Sequence, residues 1–477
     1  MKKETMLKSI FLLTLVLFFF AACERVEEDS PYVSEDELTE ADDNEYVELE
    51  EDLERHSQWQ YDIVQFRDHT LAWHPKFVDE ELIDLAHNVE IRQVFEERID
   101  ALLENVSDLT DFEIKVKLQH AVAGLRDNHF VFTGLILGSM FEMGATQERY
   151  PLMFGWFTDG WYLYQSHMAY ADALNHRLVA INHMPVDEAF LEFKQFASHE
   201  NIYDAKDMFA FHLNSPIWLQ ILGISDEGEL IYTFQNDDDS TFDLLVSTTT
   251  PWEVVWHRWE KLEDFVDNRE GGSLPLFHQN IQEHHWHVFV EEDGILYIRI
   301  HVYRHDMELS YPFTKQVFYQ AVRETFETYD VQAIVIDARG NPGGYYNHQQ
   351  LFEFLAEHTT SGMLFYFMDE GSRSGSLMAG AHLYSLGAVL VGQPMGQATE
   401  FYYFSGGGSP PWSNRLNYSG YELSVPNSYW STQEYGINPE DLVFRPHVLI
   451  PYTIDDWVQN HDPLYDYVLE LLRLIIP

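Results

Sequence analysis

Ser374 lies in the run Gly371-Ser372-Arg373-Ser374-Gly375-Ser376, just ahead of a stretch of small residues around Met378 to Ala381 that reads as a helix. A serine hydroxyl at a helix N-terminus can act as a nucleophile. Free backbone N–H groups and the positive end of the helix dipole stabilise an oxyanion formed beside it. Serine is also a common helix cap, and taken alone Ser372, Ser374 and Ser376 read more readily as caps. A second segment shifts the reading: Ile334 to Gly344, IVIDARGNPGG, thirty residues upstream. Ile334, Val335 and Ile336 form an unbroken β-branched run, as a strand buried on both faces requires. Asp337 and Arg339 are expected where that strand surfaces. Gly340, Pro342, Gly343 and Gly344 then force a tight turn whose N–H groups can be left unpaired and pointed at a ligand. No lysine follows the turn as in a phosphate-binding loop, so it suits an oxyanion. Together the segments predict acyl transfer, with Ser374 attacking a carbonyl carbon. The N–H of Gly343 or Gly344, with that of Gly375, would hold the oxyanion.

In order and content these segments resemble the C-terminal processing (tail-specific) and tricorn-like serine peptidases. The first is similar to that family's Asp-x-Arg-x-Asn-x-Gly-Gly turn. The second, Met368 to Gly396, resembles its Gly-Ser/Thr-x-Ser turn, small-residue helix, short apolar strand and Gly-Glu-x-Thr-x-Gly segment. The last of these becomes Gly392-Gln393-Pro394-Met395-Gly396, one residue short. The resemblance runs from about Trp59 to the C-terminus. It implies an α/β fold: a crotonase-like core with an N-terminal helical domain and a PDZ-like β-rich insert. It also implies peptide or protein substrates cleaved through an acyl-enzyme, with no cofactor.

The base departs from one branch of that family. The tail-specific branch uses a Ser–Lys dyad, its lysine directly after the final Gly. Here that place is Gln397, and no lysine occurs after Lys315, so a dyad on this core is excluded unless a distant lysine folds in. The tricorn-like branch takes its base from a histidine in a motif resembling Leu-x-Asp-x-His, and this chain has Leu125-Arg126-Asp127-Asn128-His129. The resemblance thus implies His129 as base, and a neutral imidazole can accept a serine proton near neutral pH. A buried structural histidine is the plainer alternative in a chain with 23 of them. The third member in that branch is a glutamate well downstream of the nucleophile. Glu434 lies in the right region, with Glu400 and Glu422 left open.

Three regions must position these residues. Residues 57–145 read as a helical domain, with apolar residues at helical spacing, ending in a turn at Asp127 to His129. Residues 149–250 alternate like short strands. Within them Arg177 to Val186 resembles the central strand and turn of a PDZ-like module, with His183 where that family usually has Gly. Residues 284–477 read as the α/β core, opening with a hairpin around Glu291 to Gly294. His284, His285, His287, His301 and His305 form no metal motif, and exposed strand histidines explain them better, so no metal is expected. Trp252, Trp256 and Trp259 fall at helical spacing and read as core packing.

With 45% hydrophobic and 15% aromatic residues in 477, the chain is a folded protein with room for several domains. Residues 1–22 read as a targeting segment: Lys2, Lys3 and Lys8, then the apolar run Ile10 to Phe20, too short to span a bilayer. Phe20-Ala21-Ala22-Cys23 resembles a bacterial lipoprotein processing box. It implies lipidation at Cys23 and a lipid-anchored protein on the extracytoplasmic face of the cell membrane. Cys23 is the single cysteine, so the chain forms no internal disulfide. Residues 23–56 read as an acidic, self-repelling tether: Glu24 to Arg55 holds 16 acidic and 2 basic residues. The net charge of −51 argues against nucleic acid as a partner. The favoured function is a serine endopeptidase. The competing one is a catalytically inactive surface lipoprotein that binds peptides or envelope components with the same fold.

Overall fold

The computed structural model describes residues 55–132, 146–147, 149–225, 228–247, 252–253, 264–303, 312–404 and 414–475. The targeting segment, Cys23, nearly all of the tether, Trp256, Trp259 and His305 lie outside these. Gln58–Pro477 forms one compact unit, and the candidate site belongs wholly to it. Among the described residues no helix is long and apolar enough to cross a membrane.

Three long helices come first: α1 (Arg55–Trp73), α2 (Ala86–Asn105) and α3 (Asp111–Ala123). Thr110 and Glu113 cap α3 reciprocally, satisfying two of the N–H groups a helix start leaves free. Apolar residues three and four apart, such as Ile91, Phe95, Ile99 and Leu102, join Ile63, Phe66, Ile114 and Leu118 in one core. Leu125 and Phe130 plug into the same core, as do Leu416, Leu423 and Val425 from late in the chain. The turn that carries His129 is therefore pinned on both sides by buried apolar groups.

Five antiparallel strands follow: β1 (Leu152–Phe157), β2 (Gly160–His167), β3 (Arg177–Ile181), β4 (Leu230–Gln235) and β5 (Thr241–Val246). Strand β2 pairs with β1 and β3, β3 with β4, and β4 with β5. Helices α4 (Val186–Phe196) and α5 (Ile202–His212) share an apolar core with this sheet. After β3 the chain turns back through Asn182 and His183, at φ +44° and +68°, to pair Met184–Pro185 with β3. His183 thus holds the left-handed conformation that a glycine would adopt without strain. Trp252 lies on a two-residue strand paired with Thr146–Gln147, not on a helix.

The third region is a six-stranded sheet. Its elements are β6 (His285–Val290), β7 (Ile295–Ile300), α6 (Pro312–Thr328), β8 (Ala333–Asp337), α7 (Gln349–His358), β9 (Leu364–Met368), α8 (Gly375–Ser385), β10 (Val389–Gly392), β11 (Glu400–Tyr403), β12 (Ser428–Ser431), β13 (Val448–Leu449) and α9 (Pro463–Ile475). The strand order is β6-β7-β8-β9-β10-β13. The β6–β7 hairpin is antiparallel and the other pairings are parallel. Strands β11 and β12 form a separate pair. Alternate residues serve opposite faces. Leu296, Ile298, Ile334, Ile336, Leu364 and Tyr366 face a core shared with α6, α7 and α8. Ile295, Tyr297, Val335, Phe365 and Phe367 face one shared with α9. A one-residue slip would exchange every partner on both faces, so the register is strongly specified. His447 closes the sheet: its Nδ1 accepts the Leu390 N–H at 2.9 Å.

Two expectations are overturned. Asp337 and Arg339 do not surface; both are buried, because they satisfy each other. Arg339 Nε donates to Asp337 at 3.1 Å, and its Nη1 and Nη2 reach Asp462 at 3.0 and 2.8 Å. Arg299 adds a bond to Asp337 Oδ1 and one to the Arg339 carbonyl. Nor are the strand histidines exposed. His285 and His287 share the face covered by Phe318, and His301 is only 4% exposed. Burial takes the His285 imidazole down to about 3, so it is neutral at any physiological pH.

Candidate active site

The glycine turn after β8 and the serine turn after β9 are clamped together by Asp369. Its Oδ1 accepts the N–H of Gly340 at 2.7 Å and of Gly371 at 3.0 Å, and Ser372 Oγ donates to the Ala338 carbonyl at 2.9 Å. Asn341 completes the joint. Its carbonyl accepts the Arg373 N–H at 2.9 Å, and its Oδ1 accepts the Gly343 N–H at 2.8 Å. Packing then dictates the residue types. At Gly344 (φ +106°) a Cβ would stand 1.4 Å from the Tyr303 carbonyl oxygen, and at Gly375 a Cβ would stand 2.4 Å from the Gly344 oxygen. No side chain fits either place.

Ser374 sits where these turns meet, as the residue before α8, at φ +48° and ψ −115°. This lies outside the β, right-handed and left-handed wells, a strain of about 1–3 kcal/mol that the surroundings must hold. They do so through both neighbours. The Ser374 N–H donates to Gln397 Oε1 at 2.8 Å. The Arg373 guanidinium is buried against Asp204 and Asp207, each at 2.8 Å. The donors for an oxyanion follow by elimination. The N–H groups of Gly343 and Ser374 are already donated. Those of Gly344 and Gly375 have no protein acceptor among the described residues.

His129 reaches this point from 245 residues away in the sequence, its Nε2 lying 3.1 Å from Ser374 Oγ. The imidazole stacks on Phe401 of β11, with centroids 5.2 Å apart and planes 21° apart. Its backbone N–H donates to Asp127 Oδ1 at 2.9 Å. Behind the ring, Nδ1 faces two carboxylates: Glu200 Oε1 at 3.8 Å and Asp127 Oδ1 at 4.0 Å.

The carboxylates are held differently. Asp127 is fully buried beside His74. The His74 Nδ1 accepts the Lys76 N–H at 3.2 Å, so Nε2 carries the ring proton and donates to Asp127 Oδ2 at 3.0 Å. Burial alone would push Asp127 up, but the hydrogen bond from His74 and the charge of Lys76 hold it below the usual carboxylate range. Burial lowers both His74 and Lys76. Lys76 Nζ is spent on the carbonyls of Leu125 and Arg126 and stands 4.7 Å from the Tyr402 ring centroid. Glu200, just before the Asn201 cap of α5, is pushed up by burial. Its contact with His129 opposes the shift, and the negative charges of Asp127 and Asp204 add to it. Glu200 Oε2 accepts the Ala398 N–H at 3.0 Å and a bond from Gln397 Nε2.

Of the residues singled out in the sequence, Ser374, His129, Gly343, Gly344 and Gly375 meet at one place. Glu434 does not: it is exposed on the short turn Thr432–Tyr435. Glu400 is engaged by His87 at 3.2 Å and Tyr429 at 2.8 Å, and Glu422 is exposed at the start of the central strand of a small three-stranded sheet. The carboxylate beside His129 is Glu200, which sequence reasoning missed. Nothing in Ser198-His199-Glu200-Asn201 distinguishes it from an ordinary helix-capping segment.

A serine hydroxyl strained at a helix start, an imidazole in contact with it, a carboxylate behind the ring and two free N–H groups are the parts needed for nucleophilic acyl transfer. No family model matches the chain, and no curated protein matches it. Solved structures do. The chain is similar to mature CPAF, with a TM-score of 0.58 and 12% identity over 88% of this chain and 97% of that one. It is similar to mature CPAF complexed with lactacystin at 0.55, with 12% identity over 88% and 98%. The photosystem II D1 C-terminal processing protease matches at only 0.35, with 12% identity over 82% and 93%. At such identities the CPAF likeness is one of fold, extending over nearly the whole of both chains.

Proposed function

We propose that the protein is a lipid-anchored serine endopeptidase on the extracytoplasmic face of the cell membrane, cleaving peptides or proteins through an acyl-enzyme. The observation that carries this reading is the 3.1 Å contact between His129 Nε2 and Ser374 Oγ. Ser374 Oγ attacks the scissile carbonyl carbon as His129 Nε2 takes its proton. The N–H groups of Gly344 and Gly375 receive the oxyanion. The tetrahedral intermediate collapses, the C–N bond breaks, and the imidazolium gives its proton to the leaving amine. Water, deprotonated by the same nitrogen, then hydrolyses the ester and frees Ser374. Glu200, with Asp127, steadies Nδ1–H and the positive charge that forms on the ring. Gln397 serves as scaffold in the lysine's place, tying the Ser374 N–H to Glu200.

The six-stranded sheet with its two clamped turns supports a crotonase-like core, and the β3 turn supports a PDZ-like insert. The binding-only alternative rested on the missing lysine, and the contact of His129 with Ser374 removes that support. A fluorophosphonate probe should label the wild-type protein and not Ser374→Ala; equal labelling of both would sink the proposal. The anchor is tested separately: Cys23→Ser should lose palmitate labelling and membrane retention, and unchanged retention would refute it.

A further inference from the structure

We propose that Asp127, His129 and Glu200 also form a binding site for a borderline transition cation, Zn2+ by its donor set, and that occupancy switches the catalytic base off. The binding stands on geometry alone; the switching rests on the reading of His129 as base. One ligand atom from each residue lies within 4.8 Å of the other two. At 3.8 and 4.0 Å, the distances from Nδ1 to Glu200 and to Asp127 are too long for hydrogen bonds. His129 Nδ1 and Glu200 Oε1 have no hydrogen-bond partner, although their side chains are only 9% and 4% exposed. Two buried polar atoms thus face one another across a gap, with a second carboxylate on its rim. Zn–N and Zn–O bonds of about 2.1 Å place tetrahedral ligands about 3.4 Å apart, so each carboxylate oxygen need close on Nδ1 by only about half an ångström. A mixed nitrogen and oxygen set favours Zn2+ over Ca2+ or Mg2+, which take oxygen alone.

The far carboxylate oxygens are already held as metal ligands usually are: Asp127 Oδ2 by His74, Glu200 Oε2 by Ala398 and Gln397. The Lys76 charge near Asp127 opposes the cation and keeps binding reversible. A cation on Nδ1 takes that lone pair. The ring proton must then sit on Nε2, which can no longer accept one from Ser374. No proton leaves the site when both carboxylates are ionised; one leaves when Glu200 is protonated.

The test measures metal uptake by Ser374→Ala protein, where the nucleophile plays no part. Equilibrium dialysis should show one more Zn2+ per chain for Ser374→Ala than for Ser374→Ala/Glu200→Gln, with Asp127→Asn as a second ligand variant. Co2+ should give the visible absorption of a four-coordinate site, absent from both ligand variants. In wild type, Zn2+ should slow fluorophosphonate labelling on the order of tenfold or more, and a chelator should restore it. Equal uptake with and without Glu200 would overturn the site. Glu200-dependent uptake with unchanged labelling would overturn the switch. Failure of metal-free wild type to label would instead sink the peptidase reading, leaving Zn2+ uptake to be measured on its own.

Discussion

Glu200→Gln separates a catalytic carboxylate from a structural one, because the two roles predict opposite signs. When Glu200 is ionised, its charge stands 3.8 Å from His129 Nδ1. At an effective dielectric of about 20, a full charge at that distance stabilises an imidazolium by about 4 kcal/mol, about a thousandfold in rate. Asp127, at 4.0 Å, remains and supplies part of this. The expected loss in kcat/KM is therefore on the order of 10²- to 10³-fold. The amide adds a second fault. Its oxygen can keep the donors from Ala398 and Gln397, which turns its NH2 toward Nδ1 and favours a ring with the proton on the wrong nitrogen. Stability should move the other way. Burial raises Glu200 above its unfolded value, so the native state binds more protons across that window. Stability then falls as pH rises through it, and the whole penalty is present above the folded pKa. Gln carries no such penalty, so the variant's melting temperature should gain on the wild type as pH rises from acid to neutral. Fluorogenic peptide hydrolysis and thermal melts across pH read both effects. A variant within threefold of wild-type activity, or one destabilised more at neutral than at acid pH, would refute the reasoning.

His129→Ala should cost on the order of 10²-fold or more in hydrolysis, and its combination with Ser374→Ala should cost little beyond either alone, since the two act as a unit; additive losses would argue against a dyad. Ser374→Gly should abolish labelling yet raise unfolding stability by about 1 kcal/mol, because glycine relieves the backbone strain at φ +48° at some entropic cost; a destabilised variant would mean the strain is not there. Gly344→Ala should cost on the order of 3 kcal/mol or more in denaturant melts, because its Cβ meets the Tyr303 carbonyl. Gly387→Ala, with similar positive φ and nothing within 4 Å, should lose only about 1 kcal/mol; equal losses would show that strain, not the close approach, fixes Gly344.

The strand and turn around Ile334 were legible because a doubly buried parallel strand leaves a local signature, an unbroken apolar run ending in glycines. The serine was legible only through its distance from that run. Reading Asp337 and Arg339 as surface residues failed for a general reason. A charge is placed outside by default, and the partners that let it stay inside, Arg299 on β7 and Asp462 in the turn before α9, are distant in sequence. Glu200 escaped for the same reason. Its role depends on burial between α4 and α5 and on the approach of His129 and Gln397, and none of these shows in the four residues around it. Glu434 looked suitable by position in the chain, yet order along a chain does not fix which acid reaches a given ring.

The glutamine at position 397, where the peptidases that the sequence resembles carry a lysine, becomes intelligible once it is seen from both ends. Its Oε1 accepts the N–H of a strained Ser374, and its Nε2 donates to Glu200. An ammonium has no acceptor to offer the Ser374 N–H. It would also pair with Glu200 and spend the negative charge that His129 needs behind its ring. A neutral amide does neither: it fixes the nucleophile's backbone and leaves the carboxylate charge for the imidazole. On the proposed reading a lysine base and a histidine base would compete for the same space, and Gln397 leaves that space to His129. On the proposed reading the Leu125-Arg126-Asp127-Asn128-His129 turn and the absent lysine, far apart in the sequence, meet at Glu200, which His129 faces and Gln397 holds.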